Sequence, residues 1–168
     1  MDADVDLVLG FLNTVDVETG TDVLDAADPW RAWAAERGLA ADPLAEAVHA
    51  RAALRAAVGD PGSSPGEPAA AVEVTLTPTG PRLRASTAVG AVLAAAARLA
   101  VLGEWGRVKI CPADDCRWAF FDQSRNRSRT WCSMRVCGNR QKARAFRERS
   151  SERPQPVDNP VDNSPNCG

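Results

Sequence analysis

Four cysteines in the last third of the chain constrain its fold more than any other feature. Cys111, Cys116, Cys132 and Cys137 are spaced C-x4-C-x15-C-x4-C. Two short cysteine pairs separated by roughly 15 to 20 residues are typical of a tetrahedral zinc site, in which four thiolates bind the metal at about 2.3 Å. Because four cysteines leave no coordination position for water, the spacing predicts one structural zinc ion and not a catalytic one.

Two disulfides are the alternative, since an even number of cysteines favours them in a short secreted protein. The N-terminal residues 1–6 contain no basic residue, and no sustained apolar run follows them, so the pattern of a signal peptide is missing. We therefore expect a cytoplasmic protein with reduced, zinc-binding thiols. Cys167, close to the C-terminus, is expected to be a free thiol.

Basic residues are concentrated around the four cysteines. Residues 1–104 carry 7 Arg and no Lys against 15 Asp and Glu, which gives −8, whereas residues 105–149 carry 12 Arg and Lys against 4 acidic residues, which gives +8. The last 19 residues add −2. Such asymmetry indicates a polyanionic partner for the basic segment, most simply nucleic acid. The acidic segment would repel that partner, so binding should be confined to one face.

Other function classes find little support in the sequence. The most apolar run, residues 85–101, is shorter than the ~18 residues of a membrane span and is interrupted by Arg98. We find no glycine-rich phosphate loop, no Cys/His pair and no metal site with an open position, so we do not expect an enzyme. His49 is the only histidine and has no acidic or cysteine partner pattern.

The segment before the cysteines has mainly helical periodicity. Apolar residues recur every three or four positions from Val5 to Val15, and Asp28-Pro29 is a typical helix start with Asp28 as N-cap. Residues 72–76 alternate with period two and predict one strand of a β-hairpin. The sequence thus predicts a mainly helical domain, residues 1–104, with a small antiparallel hairpin, its helices being 5–15, 28–38, 42–58 and 89–102 and its strands 72–76 and 82–85.

The cysteine-rich segment, residues 105–149, predicts a second and smaller domain. A strand over 117–121 and a basic turn over 122–129 separate the cysteine pairs, and residues 139–149 form good helix sequence. Ala143 and Phe146 are expected to face the zinc core. Knuckle, hairpin and helix make a treble-clef-like zinc finger, so the fold class is α+β. Residues 150–168 have almost nothing to bury and are expected to be disordered.

The residues around the zinc site also resemble a known family. The run Cys137-Gly138-Asn139-Arg140, with Asp122-x-Ser124-Arg125-Asn126 and Arg129-Thr130-Trp131-Cys132 before it, looks like the CGNR zinc finger. Asn13-Thr14 in the first apolar helix, followed by the tryptophan-bearing helix and the hairpin, resembles the ABATE domain that accompanies this finger. The family is described as stress-induced transcriptional regulators. The resemblance therefore implies a zinc-dependent transcription regulator.

Candidate binding residues follow from this resemblance and from the charge map. Seven basic side chains are candidates for phosphate or base contact, with solvated surface residues as the alternative: Arg125, Arg127, Arg129, Arg140, Lys142, Arg144 and Arg147. Arg140 can instead brace the finger through Asp122, and Arg129 has a similar ambiguity. Asn13 and Thr14 either line a ligand pocket or form hydrogen bonds inside the core, and the second interpretation is favoured.

The leading hypothesis is a DNA-binding transcription regulator with the finger as reader and the N-terminal domain as sensor or oligomerisation unit. An RNA-binding protein and a protein-interaction module with a structural zinc are the alternatives. A lone finger would bury only ~600 to 1,000 Å² on DNA, so a homodimer is expected to supply specificity.

Overall fold

The computed structural model describes residues 3–151, which contain five α-helices and three two-stranded antiparallel sheets. The helices are α1 (Ala3–Leu12), α2 (Ala27–Ala35), α3 (Leu44–Ala57), α4 (Ala88–Val101) and α5 (Asn139–Ser151). The sheets pair β1 (Val15–Asp16) with β2 (Thr21–Asp22), β3 (Glu73–Thr77) with β4 (Gly80–Arg84), and β5 (Val108–Ile110) with β6 (Ala119–Phe121). The predicted α+β class is confirmed. Cys167 and the predicted tail, apart from its first two residues, lie outside the described residues.

The main core lies between α1, α2, α3 and α4. The ring of Phe11 lies 5.9 Å from the rings of both Trp30 and Trp33, and the two tryptophan rings stack 5.2 Å apart. α4 begins where the Thr87 hydroxyl accepts a hydrogen bond from the Gly90 N–H, an N-cap that satisfies a backbone donor at the helix start. The alanine-rich helix predicted from residue 89 is thereby confirmed and lies largely buried.

Two local predictions in this domain are wrong. α2 begins one residue before the predicted cap, and Asp28 pairs with Arg31 at 2.7 Å on the surface instead of capping the helix. α1 ends at Leu12, so Val15 belongs to β1 and not to the helix. The short β1–β2 hairpin was not predicted, because two-residue strands leave no periodic signal.

The β5–β6 hairpin connects the helical core to the four cysteines. Side chains alternate across a strand, so the two faces of a hairpin meet different surroundings. Val108, Ile110 and Ala119 belong to the main core, whereas Phe120 packs among Cys111, Cys116 and Cys137. One face of this hairpin therefore packs on the helical core and the other on the cysteine cluster.

Candidate metal centre and its basic surface

The four predicted zinc ligands converge on one point. Their sulfur atoms all lie within 4.8 Å of one another, with Cys116 and Cys132 at 3.5 Å and Cys132 and Cys137 at 3.6 Å. Four thiolates bound tetrahedrally at about 2.3 Å would have sulfur separations of about 3.8 Å. Three of the cysteines are buried and Cys132 is half-buried. The geometry therefore fits a closed zinc shell.

The chemistry of the donors also fits a cation. Burial raises the pKa of the Cys132 thiol far above its ordinary value and raises the pKa of Cys137 to about 11. Burial opposes ionisation of Cys111 as well, but hydrogen bonds from backbone groups of Cys132 and Ala113 lower its pKa. Four thiolates crowded together need a compensating positive charge, which Zn²⁺ supplies.

Local backbone geometry brings the cysteine pairs into place. The N–H of Cys111 donates to the carbonyl of Trp118, so the β5–β6 ladder continues to the first cysteine. The second pair ends in a short π-helical turn, Met134–Gly138, whose start is capped by the Ser133 hydroxyl. A Cβ at Gly138 would lie 2.6 Å from the Met134 sulfur, so a larger residue here would force that side chain aside. Glycine of the Cys-Gly-Asn-Arg run thus permits close packing beside the metal.

Asp122 organises the basic turn between the cysteine pairs. Its carboxylate is fully buried and accepts hydrogen bonds from the Lys109 ammonium at 2.7 Å and from the backbone N–H groups of Ser124 and Arg129 at 2.9 Å. Burial alone would raise its pKa, but these donors hold the pKa well below its usual range. The contact considered between Arg140 and Asp122 does not form, since the described partners of Asp122 come from β5 and the turn itself.

Arg140 instead pairs with an acidic residue in the loop of the first cysteine pair, Cys111 to Cys116 (the first knuckle), and with one of the N-terminal domain. Its guanidinium lies 2.8 Å from the Asp115 carboxylate and 3.0 Å from that of Glu18. Arg144 reaches the same Asp115 oxygen at 3.1 Å. The hydrogen bonds to Glu18 and Asp115 raise the pKa of Arg140. The face of α5 that carries Arg140 and Arg144 is therefore turned toward the first knuckle.

Ala143 and Phe146 are exposed on α5, contrary to the prediction that they face the zinc core. Phe146 is 65 % exposed, and Ala143 is also exposed. The physical reason is charge: Asp115 pairs with Arg140 and Arg144 and thereby orients the helix, so Phe146 on the other side remains in solvent.

The remaining predicted contact residues fall into two groups. Arg127 lies 3.8 Å from Glu104, and Arg129 donates hydrogen bonds to the carbonyls of Trp131 and Cys132. Arg125, Lys142 and Arg147 are exposed and form no ion pair within the described part of the chain. Two exposed arginines that sequence reasoning did not single out, Arg135 and Arg149, share that property; the charge count of the segment was their only signal.

Asn13 and Thr14 both form hydrogen bonds inside the protein. The Asn13 side chain donates to the carbonyl of Ala119 at 2.9 Å and accepts from its N–H at 2.7 Å, so the amide pairs with β6 as a neighbouring strand would. Thr14 is buried, donates to the Phe11 carbonyl and accepts from Arg51. Asn13 also borders a surface cleft of about 520 Å³. The contacts agree with the favoured structural interpretation.

A buried ionic cluster that the sequence did not indicate joins the helical domain to the first knuckle. The side chain of Asp60 is fully buried and lies 2.6 Å from Arg55 and 2.5 Å from Arg117. Arg55 also donates to the backbone carbonyls of Leu12 and Arg117. Asp60 and Arg117 are 57 positions apart in the chain, so no local pattern could have paired them.

Comparison with known proteins agrees with this geometry. Residues 107–150 match the family model described as CGNR zinc finger. No curated protein matches the chain. No helix within residues 3–151 is long and apolar enough to cross a membrane. The match does not reach the helical domain, so its resemblance to ABATE stays a prediction. The C-terminal part of this chain is therefore a CGNR zinc finger, with four cysteines that hold one structural zinc ion.

Proposed function

We propose that the chain is a DNA-binding transcription regulator whose zinc finger contacts the phosphate backbone. One observation carries the proposal: six basic side chains of the finger form no ion pair among the described residues, and all are exposed. Exposed cations clustered in one segment are the electrostatic footprint of a polyanion partner. They are Arg125, Arg129, Arg135, Lys142, Arg147 and Arg149.

The outer face of α5 is the best candidate for the contact surface. We define the outer face as Lys142, Phe146 and Arg149, which follow one another at spacings of four and three and are all exposed. The opposite face carries Arg140 and Arg144, which pair with Asp115 and, for Arg140, with Glu18. Cations that already pair with carboxylates gain less from phosphate, which supports contact through the outer face.

The acidic helical domain would limit how DNA approaches. Residues 1–104 carry a net charge of −8, so phosphates would be repelled from that side. The Arg140–Glu18 pair also links this domain to α5. We propose that the helical domain fixes the orientation of the finger and acts as the sensing or oligomerising unit.

Salt dependence of DNA binding tests the proposal. Affinity for a random duplex pool should fall steeply with salt, by ~0.9 in log K per log salt for each neutralised phosphate. Replacing Lys142 and Arg149 with alanine should reduce that slope by about 1.8 if each contacts one phosphate. The matched control replaces two exposed arginines of the acidic domain, Arg31→Ala and Arg82→Ala, and should leave the slope unchanged. A flat salt response of the intact protein, or an equal effect of both double variants, would refute DNA binding through α5.

An RNA-binding protein is the second candidate, favoured by exposed aromatic side chains near these cations. Phe146 is 65 % exposed and Trp118 is 39 % exposed. A base stacked on such a ring contributes ~1 to 3 kcal/mol to single-strand binding. If RNA is the partner, single-stranded RNA should outcompete duplex DNA, and Phe146→Ala should weaken RNA binding at least fivefold. Binding to neither nucleic acid would favour a protein partner.

A further inference from the structure

The β3–β4 hairpin presents its apolar face to solvent. Its register pairs Val74 with Leu83 and Leu76 with Pro81, so these four side chains lie on one face. Val74 is 67 % exposed, Leu76 85 % and Leu83 40 %. Thr75 and Thr77, on the other face, are half-buried. Glu73, Arg82 and Arg84 on that face are exposed, so neither face of the hairpin is fully covered by the described residues. An isolated two-stranded hairpin is only marginally stable in water, which favours a partner for this one.

Two more exposed apolar residues lie near the C-terminal end of α4. A groove of about 590 Å³ runs between the hairpin and α4, lined by Val74, Leu83 and Arg98. Val101 and Leu102 follow Arg98 by three and four residues, at spacings that place them next to it on the helix, and are 87 % and 67 % exposed. Several exposed apolar side chains in one region are typical of an interaction site.

Backbone geometry shows which groups on β3 are available for pairing. Pro81 has no N–H, so the Leu76–Pro81 pair must be a non-hydrogen-bonded pair of the antiparallel ladder. The alternation of the ladder makes Val74–Leu83 the same kind of pair. The N–H and C=O groups of Val74 and Leu76 therefore point away from β4, along the open edge of the sheet.

The two edges of this hairpin differ in how well they are protected. On β4, Pro81 removes one outward donor, and pairing with a second β4 about Leu83 would place Arg82 opposite Arg84 of the other copy. β3 has no proline, and its only charged residue is Glu73. Two β3 strands related by a two-fold axis at Thr75 would set Val74 opposite Leu76 and Glu73 opposite Thr77. No like charges would meet.

We propose that the chain forms a homodimer in which two β3 strands pair about Thr75 and make a continuous four-stranded antiparallel sheet. A second copy fits this site because the strand is complementary to itself under two-fold rotation. In the continuous sheet the apolar faces of the two copies would lie side by side, so Val74 of each copy would contact Leu76 of the other across the two-fold axis. This inference concerns the helical domain and does not depend on what the finger binds.

Light scattering and sedimentation of the zinc-loaded protein without nucleic acid test the dimer. The intact chain should be dimeric at micromolar concentration. Leu76→Glu should weaken dimerisation about tenfold, because each of the two cross-strand contacts between Leu76 and Val74 would become a charged side chain beside an apolar one. Its far-UV spectrum should stay unchanged, since Leu76 is exposed in one chain. The matched control, Phe146→Glu, places the same charge at an exposed apolar position of α5 and should remain dimeric. A monomer at all concentrations, or a dimer that Leu76→Glu leaves intact, would overturn the proposal.

Cross-linking tests the register separately. Residues opposite each other in a non-hydrogen-bonded pair have Cα atoms ~4.5 Å apart, within the range of a disulfide. Thr75→Cys in a Cys167→Ser background should therefore form a covalent dimer under mild oxidation. Thr77→Cys in the same background is the control, because two copies of residue 77 would lie about 14 Å apart. Equal cross-linking of both variants, or none with Thr75→Cys, would refute pairing about Thr75.

Discussion

Asp60 is the residue that most tightly joins the zinc finger to the helical domain. Its carboxylate accepts from Arg55 and Arg117 at one fully buried point, and Arg117 directly follows the zinc ligand Cys116. Burial alone would raise the pKa of Asp60, but hydrogen bonds from Ser63 and Arg55 lower it. A buried ion pair contributes little relative to apolar packing, yet removal of one partner leaves an unpaired buried charge.

Replacing Asp60 with asparagine should therefore lower the free energy of unfolding by about 3 to 5 kcal/mol, measured by urea denaturation with zinc present. Asp28→Asn is the control, since its pair with Arg31 is largely exposed and should contribute about 1 kcal/mol or less. A carboxyl whose pKa is lowered by folding stabilises the fold at pH values above its unfolded-state pKa of ~3.9. This contribution is lost as the pH falls through the lower pKa of the folded state. The difference in free energy of unfolding between the intact chain and its Asp60→Asn variant should thus become smaller below about pH 4. A gap independent of pH would contradict the assignment.

Asn13 has a structural role that a second substitution can separate from a ligand-binding one. Asn13→Ala should lower the free energy of unfolding by about 2 kcal/mol or more, because the buried Ala119 loses partners for both its N–H and C=O groups. Zinc content should stay unchanged. Asn126→Ala, in the exposed turn of the finger, is the control and should shift stability by less than about 0.5 kcal/mol. Equal stability of both variants would return Asn13 to the list of candidate ligand-binding residues.

At the level of elements, the orientation of α5 decides which residues of the finger meet solvent. Arg140 and Arg144 share the carboxylate of Asp115, so their face of α5 is turned toward the loop of the first cysteine pair. Periodicity could not tell which face is turned inward. That depended on a carboxylate from a distant loop, and an amphipathic pattern with only Phe146 and a few alanines is too weak to oppose it.

Removal of the Arg140 side chain should loosen α5 without unfolding the finger. Arg140→Ala removes the contacts to Asp115 and Glu18, so amide hydrogen exchange in α5 should accelerate roughly two- to fivefold, as for loss of a partly exposed ion pair. Lys142→Ala, on the outer face of α5, is the control and should leave the amide hydrogen exchange rates of α5 unchanged. If both variants exchange alike, Arg140 does not anchor the helix.

For the whole molecule, the zinc site and the helical core are in contact but differ in how much their stability depends on the metal. The tryptophan pair and its surroundings come from α1, α2 and α4, whereas α5 packs beside the cysteines and carries few apolar residues. A helix of 13 residues is marginal in water without tertiary contacts. The stability of α5 should therefore depend on zinc far more than that of α1 to α4.

Zinc removal tests this dependence. A chelator should reduce far-UV helicity by about the contribution of α5 and lower the thermal midpoint, while the near-UV signal of Trp30 and Trp33 persists. One equivalent of zinc should restore the spectrum. Cys137→Ser should behave like the metal-free protein, and Cys167→Ser should behave like the intact one. Retention of full helicity after chelation would show that the finger folds without metal.

The sequence alone determined what depends on spacing and composition: the four zinc ligands, the helix and hairpin order, and the basic charge of the finger. These are local properties, since cysteine pairs, helical periodicity and period-two alternation are read over a few residues. Only the tertiary structure decided the partners of Asn13, Asp60 and Arg140, the inward face of α5 and the outward face of the β3–β4 hairpin. Each of these depends on side chains from elements far apart in the chain, where charge pairing and backbone hydrogen bonding outweigh the weak local preference.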